Sequence, residues 1–543
     1  MNVSSSSLRV SVACLALVAL FFSYTEDRVA IAQDGAASAP AEDEWTHQRK
    51  EAAHRKRRII FNNDGCDAVY FCDKATPETL LECRTTALLG TQVDSIFYCT
   101  WCSGFSNFTY NTKIGHVFTR KEEQLSNNKV DQFLQQGTDP LKIMVDFCRK
   151  SEIEIFWSFR MNDTHDVSTA WYGPLLFPQL KKDHPDWLLG SREKPTKHGR
   201  WTGVDYGREE IRDLAFRFIE EVCANYDVDG VEFDFFRHLN YFKRVSMGKH
   251  AGPEEREMMT GLLRRVRERT ERIGRQRGRP ILIAVRVPDS IEYCAAMGFD
   301  LVRWLEDDLV DLMAASGYFR LNPWETTVEL GHKHGVPVYP CLSESRLRGE
   351  AQKVRGSVEG YRARAMNVWD SGADGVYLFN SFNPHSPLWS ELGDPKTLKT
   401  MDKVYVTAAR SVNNANSWLA GGTRFLNRSV LTPERPITLK PGEAASVPLR
   451  VGEQLSEAEA GRAAPNVELR LQVTGLTDPA DVTVKLNDQP LTGGALSGDW
   501  LKYAVTPAQV QRGDNHFQIT LASTSEAKPV LQDLLLWVRY RKD

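Results

Sequence analysis

The chain has 543 residues, of which 42% are hydrophobic and 26% charged, and its formal net charge is -3. That length accommodates one large α/β domain and a smaller partner domain. The near-neutral balance excludes the strong single-sign field that nucleic acid or an anionic membrane surface selects for.

The first residues read as a secretory signal, residues 1–32. Arg9 supplies a thin positive start, and residues 10–22 form an apolar run too short to span a bilayer comfortably. Ala30-Ile-Ala32 has the spacing of a cleavage site. Glu26, Asp27 and Arg28 separate it from the apolar run, so an uncleaved anchor is the alternative. Both versions give an exported protein, secreted or periplasmic, with no further membrane-spanning segment. Residues 33–57 lack a core pattern and read as a disordered linker, with the basic run His54–Arg58 as its solvated end. Of ten cysteines, Cys66, Cys72, Cys83, Cys99 and Cys102 crowd together, where one or two disulfides would suit an exported chain.

Eight apolar runs with strand character follow: 58–63, 93–101, 153–161, 229–235, 281–287, 309–316, 336–342 and 375–380. Segments of helical period separate them. In one of these Ile211, Leu214, Ala215, Phe218, Ile219 and Val222 form a single stripe. Eight strand–helix repeats predict an α/β fold of the (β/α)8 TIM-barrel type over residues 58–415. An open doubly wound sheet is the alternative, but no glycine-rich phosphate loop follows the first strand. Two connections, 102–139 and 162–207, are longer than a barrel needs and carry many aromatic residues, including Phe105, Phe108, Tyr110, Trp171 and Trp187. They stack on sugar rings if exposed, or pack the loops onto the barrel if not. Beyond residue 425 short alternating runs take over, at 445–451, 467–473, 481–486, 501–505, 516–521 and 530–540. They predict a C-terminal all-β sandwich, jelly-roll-like, over 425–543. It serves as a sugar-binding module or a structural brace.

The fourth run, Asp227-Val-Asp-Gly-Val-Glu-Phe-Asp-Phe-Phe-Arg237, places Glu232 and Asp234 on one side and Val231, Phe233 and Phe235 on the other. In a parallel barrel the charged side faces the interior, near the C-terminal rim where active sites sit. Upstream lie His184-Pro-Asp-Trp-Leu188, Val204-Asp-Tyr-Gly207 and Glu210-Ile-Arg-Asp213. In order and spacing these elements resemble the glycosyl-hydrolase-like family ten barrels, related in fold to amylase-type glycosidases. The resemblance extends over residues 58–410 and is strongest in the fifty residues up to Asp234. It implies a glycosidase-like barrel with Asp234 at the position of the nucleophile. Glu232 departs from the His or neutral residue expected there.

The strand ends supply candidates for glycoside hydrolysis, which needs a proton donor and a second carboxylate. Asp234 is the nucleophile or principal carboxylate. Glu344, then Asp289, then Glu232 are the proton-donor candidates. Arg286, on the next strand, can pair with Asp234 or Glu232. Asn62, Asn63, Asp64, Arg160, Asp163, His165, Trp171, Tyr318 and Asn380 are the substrate-binding candidates. The expected activity is cleavage of O-glycosidic bonds in a poly- or oligosaccharide, with retention implied by the resemblance and no cofactor or metal. A non-catalytic carbohydrate-binding barrel is the alternative. A metal-dependent hydrolase built on Asp64, Asp163 and His165 is disfavoured, because no close His pair accompanies the acids in sequence. The expected partner is a carbohydrate, not nucleic acid.

Overall fold

The computed structural model describes residues 42–167, 173–456, 464–525 and 527–540. The expected signal, residues 1–32, and Trp171 lie outside them.

Eight parallel strands close into a barrel: β1 (Ile59–Asn63), β2 (Val93–Tyr98), β3 (Glu154–Arg160), β4 (Gly230–Asp234), β5 (Leu282–Val287), β6 (Leu312–Ala315), β7 (Val338–Ser343) and β8 (Val376–Phe379). Each pairs with its sequence neighbours, and β8 closes on β1. The expected eight runs and the barrel fold are therefore found. Period two decides which side chains fill the interior. Phe97 and Phe156 stack there with centroids 4.4 Å apart. Gly230 sits against them because a Cβ at this position would lie 2.1 Å from the Phe156 ring.

The linker expectation needs correction. Glu42–Ala53 is a helix, with Trp45 and Arg49 buried. Arg49 pairs with Asp308 and Asp311, just before β6. The basic run is not solvated throughout either. Arg57 is fully buried and grips Glu154 of β3 through Nε (2.6 Å) and Nη2 (2.7 Å). No local pattern marks this charge-rich segment, because the acids it pairs with lie far along the chain. The long-loop aromatics Phe105, Phe108 and Tyr110 are fully buried against Trp157, Phe159 and Phe218. They pack the loop and are not available to stack on a sugar. No helix among the described residues is long and apolar enough to cross a membrane. The nine described cysteines are thiols, with the Cys72 and Cys83 sulfurs 3.9 Å apart.

Two antiparallel sheets follow. One runs in the order Lys403–Val406, Val530–Arg539, Asn466–Thr474, Trp500–Val505, Ala495–Ser497, and the other Ala444–Val451, Gly513–Leu521, Val482–Leu486, Gln489–Leu491. Their apolar faces share one core. The expected boundary shifts here. Lys403–Val406 lies within the predicted barrel range, yet it pairs with the sandwich strand Val530–Arg539. Residues after it return to the barrel, where Ala415 accepts from the Tyr293 hydroxyl at 2.9 Å. A four-residue strand with a buried Lys403 bound to Glu453 does not alternate visibly in sequence.

A fully buried ion pair helps to pin barrel and sandwich together. Arg355, on the helix Gly349–Gly356, donates to both oxygens of Asp533 at 2.7 Å and to the Ala408 carbonyl at 2.6 Å. Removing the guanidinium leaves a buried carboxylate without its partner. Arg355→Ala should therefore destabilise the protein by roughly 3–5 kcal/mol. Chemical unfolding followed by far-UV circular dichroism checks this; a change under about 1 kcal/mol would show that the pair does not hold the seam.

Candidate active site at the C-terminal rim of the barrel

Strand register sets the site. Arg160 of β3 lies beside Asp234 of β4, and Asp234 beside Arg286 of β5. One layer deeper, Ser158, Glu232 and Ala284 take the corresponding places. Both acids of β4 therefore face the interior, and each must be met by charge or by a proton.

Asp234 is met by charge. Arg286 Nε donates to Oδ1 at 2.8 Å and Nη2 to Oδ2 at 2.6 Å, a bidentate contact between two buried side chains. The backbone N–H groups of Phe236 and Arg237 also donate to Oδ1, at 3.1 and 3.0 Å. Oδ1 thus accepts three hydrogen bonds and Oδ2 one. Oδ2 is the atom that keeps free lone-pair capacity. Against burial, Asp234 raises the proton affinity of the Arg286 guanidinium above its ordinary value. The guanidinium also lies 4.0 Å from the centre of the Phe379 ring.

Glu232 has no cation beside it and is met by hydroxyls. It is fully buried, accepts from Ser158 Oγ, and lies 2.9 and 3.1 Å from the Tyr377 hydroxyl. Burial, then the Asp234 charge, push its carboxyl up to about 7. Asn62 extends this chain, donating to Ser158 Oγ at 3.3 Å. Neither Ser158 nor Tyr377 was anticipated as a partner. The Tyr377 side could have been read from alternation along β8.

The other candidates divide into rim and scaffold. Glu344, just past β7, is partly open and meets Arg410 Nη2 at 2.7 Å, Arg346 Nε at 2.9 Å and Asn380 Nδ2 at 3.2 Å. Arg410 also donates to the Tyr318 carbonyl at 3.3 Å, so Glu344 and Tyr318 share one guanidinium. Asp289 is fully buried, and its carboxylate accepts from the backbone N–H of Leu321 at 3.0 Å and of Asn322 at 2.9 Å. It fixes the loop after β6 and faces no open space as a proton donor. Asn63 likewise turns to Gly65 and Asp67, binding its own loop.

A cluster of charged residues covers the β1–β4 side of the rim. Arg160 pairs with Asp64 and, at 3.5 Å, with Asp163. Against burial, Arg160, Arg237 and Arg84 hold the Asp64 carboxyl below its ordinary range. Asp163 is also held well below that range, His165 being its main partner. Arg237 donates to the Tyr318 hydroxyl and to His165 Nε2, the latter at 3.1 Å. Its Nε is buried without a partner, and burial beside Arg160 lowers its proton affinity to about 10.

Asp163, His165 and His238 bring potential ligand atoms within 4.8 Å of one another. The expectation of no close His pair is corrected, since the two rings are 4.9 Å apart. His165 Nδ1 lies 2.7 Å from Asp163 Oδ2, but the other three ring nitrogens face N–H donors, Arg200 Nη1 standing 3.3 Å from His238 Nε2. Arg237 donates to His165 Nε2, and the Thr164 N–H donates to His238 Nδ1 at 3.0 Å. With guanidinium groups so close, the surroundings repel a cation.

Residues 70–250 match the model of the glycosyl hydrolase-like 10 family, the family that the motifs between His184 and Asp234 resemble. The sequence is 34% identical to alpha-galactosidase AgaA of Geobacillus stearothermophilus over 101 residues, 17% of this chain and 13% of that protein. A solved GH36 alpha-galactosidase AgaA of the same organism, in complex with 1-deoxygalactonojirimycin, is 13% identical with a TM-score of 0.36. The match covers 90% of this chain and 56% of that one. Alpha-L-fucosidase isoenzyme 2 from Paenibacillus thiaminolyticus is 12% identical with a TM-score of 0.38, covering 64% of this chain and 48% of that one. The chain spans about half the length of these solved structures.

The state of Glu232 is testable through stability. Its carboxyl binds a proton more tightly in the folded chain, at about 7, than the ordinary 4.5. That contribution is complete below pH 4.5 and is lost as the pH rises to about 7. Glu232→Gln mimics the protonated acid at every pH. Its stability relative to wild type should therefore improve by roughly 2–3 kcal/mol between about pH 5 and pH 8. Urea unfolding at both pH values checks this; a difference independent of pH would mean that Glu232 is already ionised at pH 5.

Proposed function

We propose that the protein is an exported glycoside hydrolase that cleaves O-glycosidic bonds of a poly- or oligosaccharide and retains anomeric configuration. The observation that carries this reading is the Asp234–Arg286 pair at the C-terminal end of β4, with Oδ2 the less engaged oxygen. The family match over residues 70–250 supports the substrate class.

In the proposed reaction Asp234 Oδ2 attacks the anomeric carbon, and the bond to the leaving oxygen breaks. Glu344 gives that oxygen its proton. A glycosyl ester on Asp234 results. Glu344 then takes a proton from water, whose oxygen attacks the same carbon and releases Asp234. Arg286 holds the nucleophile in one orientation. Arg410, Arg346 and Asn380 all meet Glu344 at Oε1, and Oε2, which has no partner, carries the proton in this proposal. Asp64, Arg160, Asp163, His165, Tyr318 and Asn380 line the sugar-binding side of the rim in this proposal.

One observation favours a second reading, a carbohydrate-binding barrel without catalysis. Of Asp64, Glu232, Asp289 and Glu344, none is both open and unpaired. Glu232 is sealed, Asp289 accepts backbone N–H groups, and Glu344 and Asp64 are bound to arginines.

A glycan panel followed by released reducing ends separates the two. Asp234→Asn should lower kcat/KM by at least about a thousandfold. Glu344→Gln should slow native glycans far more than aryl glycosides, whose leaving groups need little protonation. Binding by wild type without cleavage, unchanged in Asp234→Asn, would replace the hydrolase with the binding barrel.

A further inference from the structure

A second site lies away from the β4 carboxylates. A cavity of about 370 Å³ opens at the seam between barrel and sandwich, the size of a small organic ligand rather than a lone ion. Neither Asp234 nor Glu232 lines it. Arg320 and Arg428 come from loops on the barrel side, Arg364 from the helix Val358–Asp370, and Arg450 from the sandwich strand Ala444–Val451. Arg410 joins them, so five arginines face the cavity against one acid in its wall, Asp514.

Two of the five are neutralised. Arg410 pairs with Glu344, and Arg450 with Glu325 and Asp370. The other three have no carboxylate within ion-pair distance among the described residues. Arg320 donates to the Asn322 carbonyl at 2.9 Å and lies over the Trp324 ring at 4.0 Å. Arg428 donates to the Thr407 carbonyl at 2.5 Å. Arg364 lies over the Tyr361 ring at 4.7 Å, and its Nη1 is buried without a partner. Burial, with neighbouring arginines close by for Arg320, pushes the proton affinities of Arg320 and Arg428 below their ordinary values. Asp289 acts on both Arg320 and Arg428 from a distance, with Glu325 on the first and Asp514 on the second, but none of these acids reaches either guanidinium directly. The charge-assisted contacts that an incoming oxyanion could make there are strong ones.

The wall also lacks a donor. Asn367 Nδ2 donates to the Arg450 carbonyl at 3.2 Å, which fixes the amide orientation, and Oδ1 is buried without a partner. An occupant that satisfies this wall offers oxyanion oxygens to the guanidiniums and a hydroxyl proton to Asn367. We infer that the seam cavity binds an anionic saccharide, a sugar of one or two rings carrying carboxylate or sulfate groups, as an accessory site that adjoins the barrel rim through Arg410 but does not include the β4 carboxylates. The oxyanion half of this assignment rests on the arginines alone. The sugar half rests on Asn367 and on the carbohydrate reading above.

Isothermal titration at low salt tests it, with the full chain carrying Asp234→Asn so that no cleavage intervenes. The probes are digalacturonate, the corresponding neutral digalactose, and sodium sulfate. Digalacturonate should bind, and Arg364→Gln and Arg428→Gln should each weaken it by about tenfold or more. Digalactose should show no binding that these substitutions alter, and sulfate should bind at least about tenfold more weakly than digalacturonate. Arg428 lies in a loop at the cavity edge, so its variant stands if Arg364→Gln fails to fold. In an otherwise wild-type chain, Arg428→Gln should leave glycan cleavage at the rim unchanged, which separates failure of this site from failure of the hydrolase reading. Affinity unaffected by both substitutions, digalactose binding as tightly as digalacturonate, or sulfate matching it would each overturn the assignment.

Discussion

A carboxylate inside a β-barrel cannot stay charged without a partner, and the upper barrel is organised around that constraint. Asp234 and Glu232 lie two residues apart on β4 and face the same interior. Arg286 on the neighbouring strand takes one of them, through two parallel hydrogen bonds. The other is left to the Ser158 and Tyr377 hydroxyls, and burial raises its proton affinity. One guanidinium therefore distinguishes two acids of one strand, anchoring the outer and leaving the inner with a raised proton affinity. At the opposite end of the barrel the same rule operates, where Glu154 is buried against Arg57.

Arginine also shapes what surrounds the pair. On the rim Arg160, Arg237 and Arg410 link Asp64, Asp163, His165, Tyr318 and Glu344 into a continuous charged surface. At the seam with the sandwich, arginines outnumber acids and leave donors over. The sandwich is therefore more than a brace in this account. Its strand Ala444–Val451 supplies part of a polar cavity, while Arg355 and Asp533 hold the two layers in register around it.

The barrel was legible in the sequence because period two and buried apolar runs are local signals. All eight strands fall within the predicted runs apart from one residue at the end of β7, and the inward side of β4 follows from Val231 and Phe233 alone. The pairing of Asp234 with Arg286 was also readable, since adjacent strands in a parallel barrel place such residues side by side. What escaped was long-range. The N-terminal helix looked disordered because Asp308, Asp311 and Glu154 lie far along the chain. Asp289 looked like a rim acid because nothing local shows the backbone N–H groups of the next loop folding onto it. His238 joined His165 only through the fold, and Arg410 lies in a segment between the domains with no periodicity to mark it.

The central claim is that Asp234 touches the reacting carbon. A crystal structure of Asp234→Asn, soaked with the glycan that the protein binds most tightly, tests it most directly. The account predicts a sugar at the C-terminal rim with its anomeric carbon within about 3.5 Å of the side-chain atom that replaces Oδ2. A glycan seated elsewhere, or one separated from residue 234 by an intact protein wall, would contradict it.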